Sequence, residues 1–254
     1  MPPRCDGEPG DSVEFVRKQK SYWQEVDEPH FRWQTEGPYI AGTEAALLAR
    51  AQPRPGERML EIGCGEGANL VHLRHGQADL DLFAVDFSHA KARFARAATA
   101  AHVANADAAC LPFRSGTFDA VLVRDLLHHV PDRRAVISEA LRVLRSGGSI
   151  TVIEPNAWNP LVAAMAVAIP PERGMLQSTM RRVGTELREA GVTKVAMERE
   201  QPLPISRVLL HYRLGLPALG RNRLIAAILR VAERSASVLP RSTWAYFVVR
   251  GLAP

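Results

Sequence analysis

Cysteine is scarce in this chain. Cys5, Cys64 and Cys110 are its only three, far apart and without CxxC or Cys/His ligand spacing. That spacing excludes a disulfide framework or a zinc cluster as the organising device, and it points to a reducing compartment. Lysine is scarce too. Of 32 basic residues only Lys18, Lys20, Lys91 and Lys194 are lysine, so the net charge of +5 is carried by arginine. The arginines are scattered rather than blocked, which argues against a nucleic-acid arm. They leave two readings open, a compositional bias or an anionic partner. Long apolar runs are missing as well. The longest, Leu161 to Ile169, falls well short of the roughly 20 residues that cross a bilayer. Residues 1–8 lack the apolar stretch of a secretory signal, so the expected location is the cytoplasm.

What is present is ordinary for a globular protein: 254 residues, 46% hydrophobic and 23% charged, enough for one large α/β domain with decorations. Residues 1–12, rich in Pro, Gly and Asp, read as a loose tail. Aromatics make up only 6% of the chain, yet Tyr22, Trp23, Phe31, Trp33 and Tyr39 crowd into the first forty residues. A helix capped by Thr43 is expected to carry Ala45, Leu47 and Leu48 and to stop before Pro53.

Strand and helix then alternate. Arg58–Ile62 is a short strand that breaks into glycines, and the helix after it bears Leu70, Val71 and Leu73. Leu80–Val85 is a second strand ending at Asp86, and Ser88 caps a helix to about Ala98. Strands follow near His102–Ala106 and at Phe118–Val123. Asp132 caps a helix that Gly147–Gly148 should end, and Ser149–Ile153 is a fifth strand. The rhythm breaks at 155–177, with Pro155, Pro160, Pro170 and Pro171. A helix over Ser178–Ala190 and strands at Val192–Met197 and Trp244–Val249 complete the pattern. It predicts a doubly wound, mostly parallel, seven-stranded Rossmann-like sheet. The insertion at 200–242 has two apolar helical stretches, near 206–213 and 222–234, and reads as a helical cap.

In such a sheet the ligand sits beyond the carboxyl ends of the strands. The loop Gly63-Cys64-Gly65-Glu66-Gly67-Ala68 is built for close approach of a ligand to backbone N–H groups. With Asp86 some twenty residues on, it also fits the dinucleotide fingerprint, so the loop alone admits a nicotinamide cofactor. Glu61 weighs against that. A carboxylate beside a pyrophosphate is repelled, whereas beside an ammonium and a sulfonium it is useful. Asp107 and Ala108 end the third strand, and Arg124, Asp125 and Leu126 end the fourth.

These elements, in this order over roughly residues 55–155, resemble the class I S-adenosylmethionine-dependent methyltransferases of the type 11 group. The carriers are Leu60–Gly67, Val85-Asp86-Phe87-Ser88, Asn105-Ala106-Asp107-Ala108 with Leu111-Pro112-Phe113, Leu127-His128-His129-Val130 with Asp132, and Leu144–Gly148. The resemblance implies S-adenosylmethionine as cofactor. Asp86, with Phe87 beside it, would contact the ribose, and Asp107 with backbone near Ala108 the adenine. Gly63 and Arg124-Asp125 would contact the methionine end, and Glu61, Cys64, Gly65 and Leu126 complete the expected cofactor-binding set.

His129 is the candidate general base, and no metal is expected. A hydrophobic or amphipathic small-molecule acceptor is expected among the aromatic segment of residues 1–40 and the cap elements at about 155–177 and 200–242, with residues 41–254 forming the catalytic domain. Leu224, Ile225, Ile228 and Val231 should share one helix side with Arg223, Arg230 and Arg234 largely opposite, a pattern suited either to a cap helix or to peripheral contact with an anionic membrane. A cofactor-binding scaffold without turnover and an NAD(P)-dependent oxidoreductase remain as alternatives.

Overall fold

The computed structural model describes residues 21–76, 79–213 and 215–254. The tail at 1–12 and Cys5 lie outside them. Seven strands form one sheet: β1 (Arg58–Ile62), β2 (Asp81–Asp86), β3 (His102–Asn105), β4 (Phe118–Arg124), β5 (Leu144–Pro155), β6 (Thr193–Glu200) and β7 (Tyr246–Leu252). Their order is β3-β2-β1-β4-β5-β7-β6, with β7 antiparallel to both neighbours and the other pairings parallel. The order reverses between β1 and β4, the switch point at which a doubly wound sheet binds its ligand.

The alternation of side chains along each strand sorts the core into two layers. Leu60, Ile62, Val121 and Val123 face one cluster, shared with Val136, Ile137 and Ala140 of α5 (Arg133–Val143) and with Val183 and Leu187 of α7 (Met180–Glu189). Met59, Ala120 and Leu122 face the other. There they meet α2 (Pro38–Leu48), α3 (Ala68–Gly76) and α4 (His89–Thr99). A third, smaller cluster of Tyr39, Ile40, Leu210 and Ala226 ties the N-terminal helices α1 (Glu28–Glu36) and α2 to the C-terminal insertion and α8 (Arg223–Ser235). Tyr39 Oη donates to Glu233 at 3.0 Å and Trp33 Nε1 to the Leu210 carbonyl at 2.6 Å.

Several expectations hold to the residue. Ser88 Oγ accepts from the Lys91 amide at 3.2 Å, and Asp132 Oδ1 from the Ala135 amide at 3.0 Å, each capping its helix. Others need correction. Thr43 is inside α2, which starts at Pro38; its hydroxyl donates to the Tyr39 carbonyl one turn back. Gly147–Gly148 do not end α5. That helix stops at Val143, and the glycines fall in an irregular start to β5, where the register with β4 shifts between Phe118 and Ala120. Residues 206–213 form turns rather than a helix, because Pro202, Pro204 and Pro217 break the segment. The stretch 155–177 becomes α6 (Pro160–Ala168) and a 3-10 segment, Pro170–Gln177. Cys64 is a buried free thiol. No helix among the described residues is long and apolar enough to cross a membrane.

Candidate active site at the carboxyl ends of the strands

The glycine loop leaves β1 with Gly63, Gly65 and Gly67 all at positive φ, a backbone closed to most other residues. At Gly63 a Cβ would lie 2.9 Å from Leu126 Cδ1, while at Gly65 it would meet nothing within 4 Å. Gly63 is thus a packing glycine and Gly65 faces open space. Asp86, buried at the end of β2, holds the loop: its Oδ2 accepts from the Gly65 amide and its Oδ1 from the Ser88 amide, both at 2.9 Å. Burial raises its pKa against the pull of those amides. Asn105 Nδ2 donates to the carbonyls of Asp86 and Phe87, tying β3 to the same corner. Asp107 is exposed and closes a local turn by accepting from the Ala109 amide at 3.0 Å, with Ala108 half-buried inside that turn.

Glu61 is fully buried. Its Oε1 accepts from Asn69 Nδ2 at 2.5 Å, and its Oε2 has no hydrogen-bond partner among the described residues. Burial pushes its pKa up to about 7, although Asn69 and the Arg124 guanidinium pull the other way. Arg124 is spent on an internal network. It donates to Asn69 Oδ1 at 2.8 Å and to Glu44 of α2. Next along the chain, Asp125 takes φ +48, a strained conformation for a residue with a side chain. Its amide donates to the Ile153 carbonyl, and its carboxylate accepts from Arg207 of the insertion, 3.1 Å to each oxygen. Arg207 also lies over the Tyr246 ring at 4.8 Å.

The segment after β4 is organised by Glu154, at the end of β5 and wholly buried. Its Oε1 accepts from the amides of Leu126 and Leu127; its Oε2 meets His128 Nδ1 at 2.6 Å and Ser178 Oγ at 3.3 Å. Glu172, from the 3-10 segment, stands 3.4 Å from His128 Nε2 and 3.8 Å from His129 Nε2. Burial opposes charge on His128, but Glu154 and Glu172 outweigh it and raise its pKa to about 10. Burial and the adjoining His128 lower that of His129 to about 3. The Trp23 ring packs 5.0 Å from His129.

Sequence reasoning named the glycine loop, Asp86 and the Arg124–Leu126 corner, and the fold brings these together. It missed Asn69, Glu154, Glu172 and Arg207. Glu154 carried a signal, since a carboxylate closing an otherwise apolar strand must have partners; the other three depend on tertiary contacts. No metal was expected, yet His128, His129 and Glu172 each offer a ligand atom, all within 4.8 Å of one another.

Comparison with known proteins agrees with this geometry. Residues 60–152 match a family model described as a methyltransferase domain. The matching stretch is the one that holds the glycine loop, Asp86 and the His128–His129 pair, so it is similar to a methyltransferase domain over those elements. The 27-O-demethylrifamycin SV methyltransferase of Amycolatopsis mediterranei is 35% identical over 136 residues, covering 48% of this chain and 49% of the relative. A demethylmenaquinone methyltransferase of Beutenbergia cavernae is 38% identical over 122 residues, 46% of this chain and 50% of the relative. The chain thus spans about half the length of the curated relatives it matches. Haemonchus contortus phosphoethanolamine N-methyltransferase 2, solved with S-adenosyl-L-methionine, shares the fold at a TM-score of 0.65 and 18% identity, over 98% of this chain and 61% of that one. That neighbour's bound S-adenosyl-L-methionine and the methyltransferase names of the relatives point the same way as the residues of the loop.

Proposed function

We propose that this chain transfers a methyl group from S-adenosylmethionine to a small hydrophobic or amphipathic acceptor. The observation that carries the reading is the buried Oε2 of Glu61 beside the glycine loop, without a hydrogen-bond partner among the described residues, a position that suits an ammonium or sulfonium and repels a phosphate. When bound, S-adenosylmethionine supplies a methyl group on a cationic sulfur. Gly65 gives the cofactor room, Asp86 fixes the loop and offers its remaining lone pairs to ribose hydroxyls, and Glu61 balances positive charge. Arg124 acts at one remove, orienting Asn69 and through it Glu61.

His129 is neutral throughout the physiological range and can accept a hydrogen bond from an acceptor O–H. With a pKa of about 3 it has little driving force to deprotonate an aliphatic alcohol. A phenol, enol or quinol suits it better, in keeping with relatives named for 27-O-demethylrifamycin SV and demethylmenaquinone. Residues 21–40 and the insertion at 200–242 pack on each other above the strand ends, and we place the acceptor between them and the 155–177 segment. Purified protein with S-adenosylmethionine and a quinol, a polyketide phenol or a long-chain alcohol should release S-adenosylhomocysteine with the first two and not the third. Absence of S-adenosylhomocysteine binding in calorimetry would remove the reading. Tight binding with no turnover on all three probes would favour the scaffold alternative.

Helix α8 supports a second element of this reading, contact with an anionic membrane surface that presents the acceptor. Ile225 and Ala226 turn inward, but Leu224, Ile228 and Val231 are 71%, 57% and 60% exposed, with Arg223, Arg230 and Arg234 also in solvent. An apolar stripe left open beside arginines is the pattern of an interfacial helix. Co-sedimentation with vesicles containing anionic lipid, lost on Ile228→Glu, tests it; equal sedimentation of the variant would reject it.

A further inference from the structure

The pair of adjacent histidines after β4 has a use that methyl transfer does not require. His128 Nε2 and Glu172 Oε2 are buried and, apart from facing each other, have no hydrogen-bond partner among the described residues. His128 Nε2 is 3.4 Å from Glu172 Oε2, and His129 Nε2 is 3.8 Å from it. Metal–ligand bonds of about 2.1 Å in a tetrahedral site place ligand atoms roughly 3.4 Å apart. The three side chains therefore already stand at the edges of a coordination triangle, with the spread of all three ligand atoms held within 4.8 Å.

We propose that His128 Nε2, His129 Nε2 and a Glu172 oxygen bind one divalent transition-metal ion of the zinc or cobalt class. Two imidazoles and one carboxylate suit that class and are a poor match for calcium or magnesium, which take oxygen donors. The surroundings have the form metal sites need. His128 Nδ1 is 2.6 Å from Glu154 Oε2, the carboxylate–histidine pairing that fixes a ring and raises the basicity of its other nitrogen. Glu154 is itself fixed by the amides of Leu126 and Leu127 and by Ser178.

The segment that brings Glu172 is pinned against the histidines: a Cβ at Gly174 would fall 1.7 Å from the His128 carbonyl oxygen, so only glycine lets the backbone come this close. Charge also favours the ion, since Glu154 and Glu172 place two carboxylates on the pair. Three protein ligands leave a fourth position open, and a hydroxyl or enol oxygen of the acceptor would fill it in place of a hydrogen bond to His129, whose one lone pair the ion takes; that consequence, unlike the binding itself, rests on the methyl-transfer reading.

The test uses the full chain stripped with a chelator and titrated with Co2+, read by visible absorption and by calorimetry. One saturable ion with the absorption of a low-coordinate nitrogen–oxygen site is expected. Glu172→Gln should weaken it by about 100-fold, with S-adenosylhomocysteine affinity retained, and Glu154→Gln by 10- to 100-fold. Wild-type protein that binds no Co2+ stoichiometrically, or variants that bind it equally well, would overturn the proposal. Should either variant fail to fold, crystals of the wild type soaked in Zn2+ decide the matter: an anomalous peak between His128, His129 and Glu172 supports the site, and its absence rejects it. Metal binding without S-adenosylhomocysteine binding would sink the function proposed above and leave this inference standing.

Discussion

Glu61→Gln should make the empty protein more stable and the cofactor complex weaker. The carboxyl ionises near 4.5 in an unfolded chain and near 7 in the fold, because burial penalises its charged form. A folded pKa above the unfolded value stabilises the fold below about pH 4.5, and that contribution is lost as pH rises through about 7. At about 1.4 kcal/mol per pH unit, the ionised buried form costs about 3 kcal/mol at pH 8. Gln keeps the shape and can still meet Asn69, so it should recover much of this and raise the melting temperature of cofactor-free protein at pH 8 by several degrees. At pH 4 the two proteins should melt nearly alike.

Binding should run the opposite way. A cation held by Glu61 needs the carboxylate, so affinity for S-adenosylhomocysteine, which keeps the ammonium, should fall about tenfold between pH 8 and pH 6 in the wild type. In Glu61→Gln the affinity should be low at both pH values and the slope gone. Calorimetry at the two pH values with both proteins gives the answer. A wild-type affinity that does not change, or a slope that survives the substitution, would refute the argument that Glu61 is kept for a cationic ligand.

Three shorter predictions follow from single contacts. Gly63→Ala must hold φ +79 and meet Leu126 at 2.9 Å, so it should cost about 1–3 kcal/mol in denaturant unfolding. Asp132→Ala removes the bond to the Ala135 amide and should cost about 1 kcal/mol by the same measurement, with no effect on cofactor binding. Arg207→Ala releases the insertion from Asp125 and Tyr246; turnover should fall more than S-adenosylhomocysteine affinity, and an equal fall in both would show that Arg207 serves the cofactor instead.

The elements whose signals are local were legible in the chain. Strand β1, its glycine loop and the caps Ser88 and Asp132 each rest on a few consecutive residues, and all stand where propensity puts them. Thr43 misled because Pro38 is the stronger start, and Gly147–Gly148 misled because a strand bulge uses the same residues as a helix end. The site divides the same way. Asp86 was readable because it follows a strand at a set distance from a glycine loop. Glu172 and Arg207 reach the site from segments with no regular pattern, so only the folded chain shows where they go. Helix α8 was placed correctly by its periodicity, but Ile225 turns inward while Leu224, Ile228 and Val231 stay open, and the register of a helix on its support is a tertiary property.

The acids at the strand ends separate by how fully they are partnered, and this separates their roles. Glu154 has both oxygens engaged by two amides, a histidine and a hydroxyl, and its pKa is lowered despite complete burial. Nothing further is needed to satisfy it, so it holds the loop after β4 in place. Glu61 is different: its Oε2 is buried without a hydrogen-bond partner among the described residues. A buried carboxylate oxygen left so costs free energy that folding alone gives no reason to spend. Glu61 stands on β1 beside the switch point, so its unpartnered oxygen marks where positive charge from outside the chain is to be received, whereas Glu172 already faces His128.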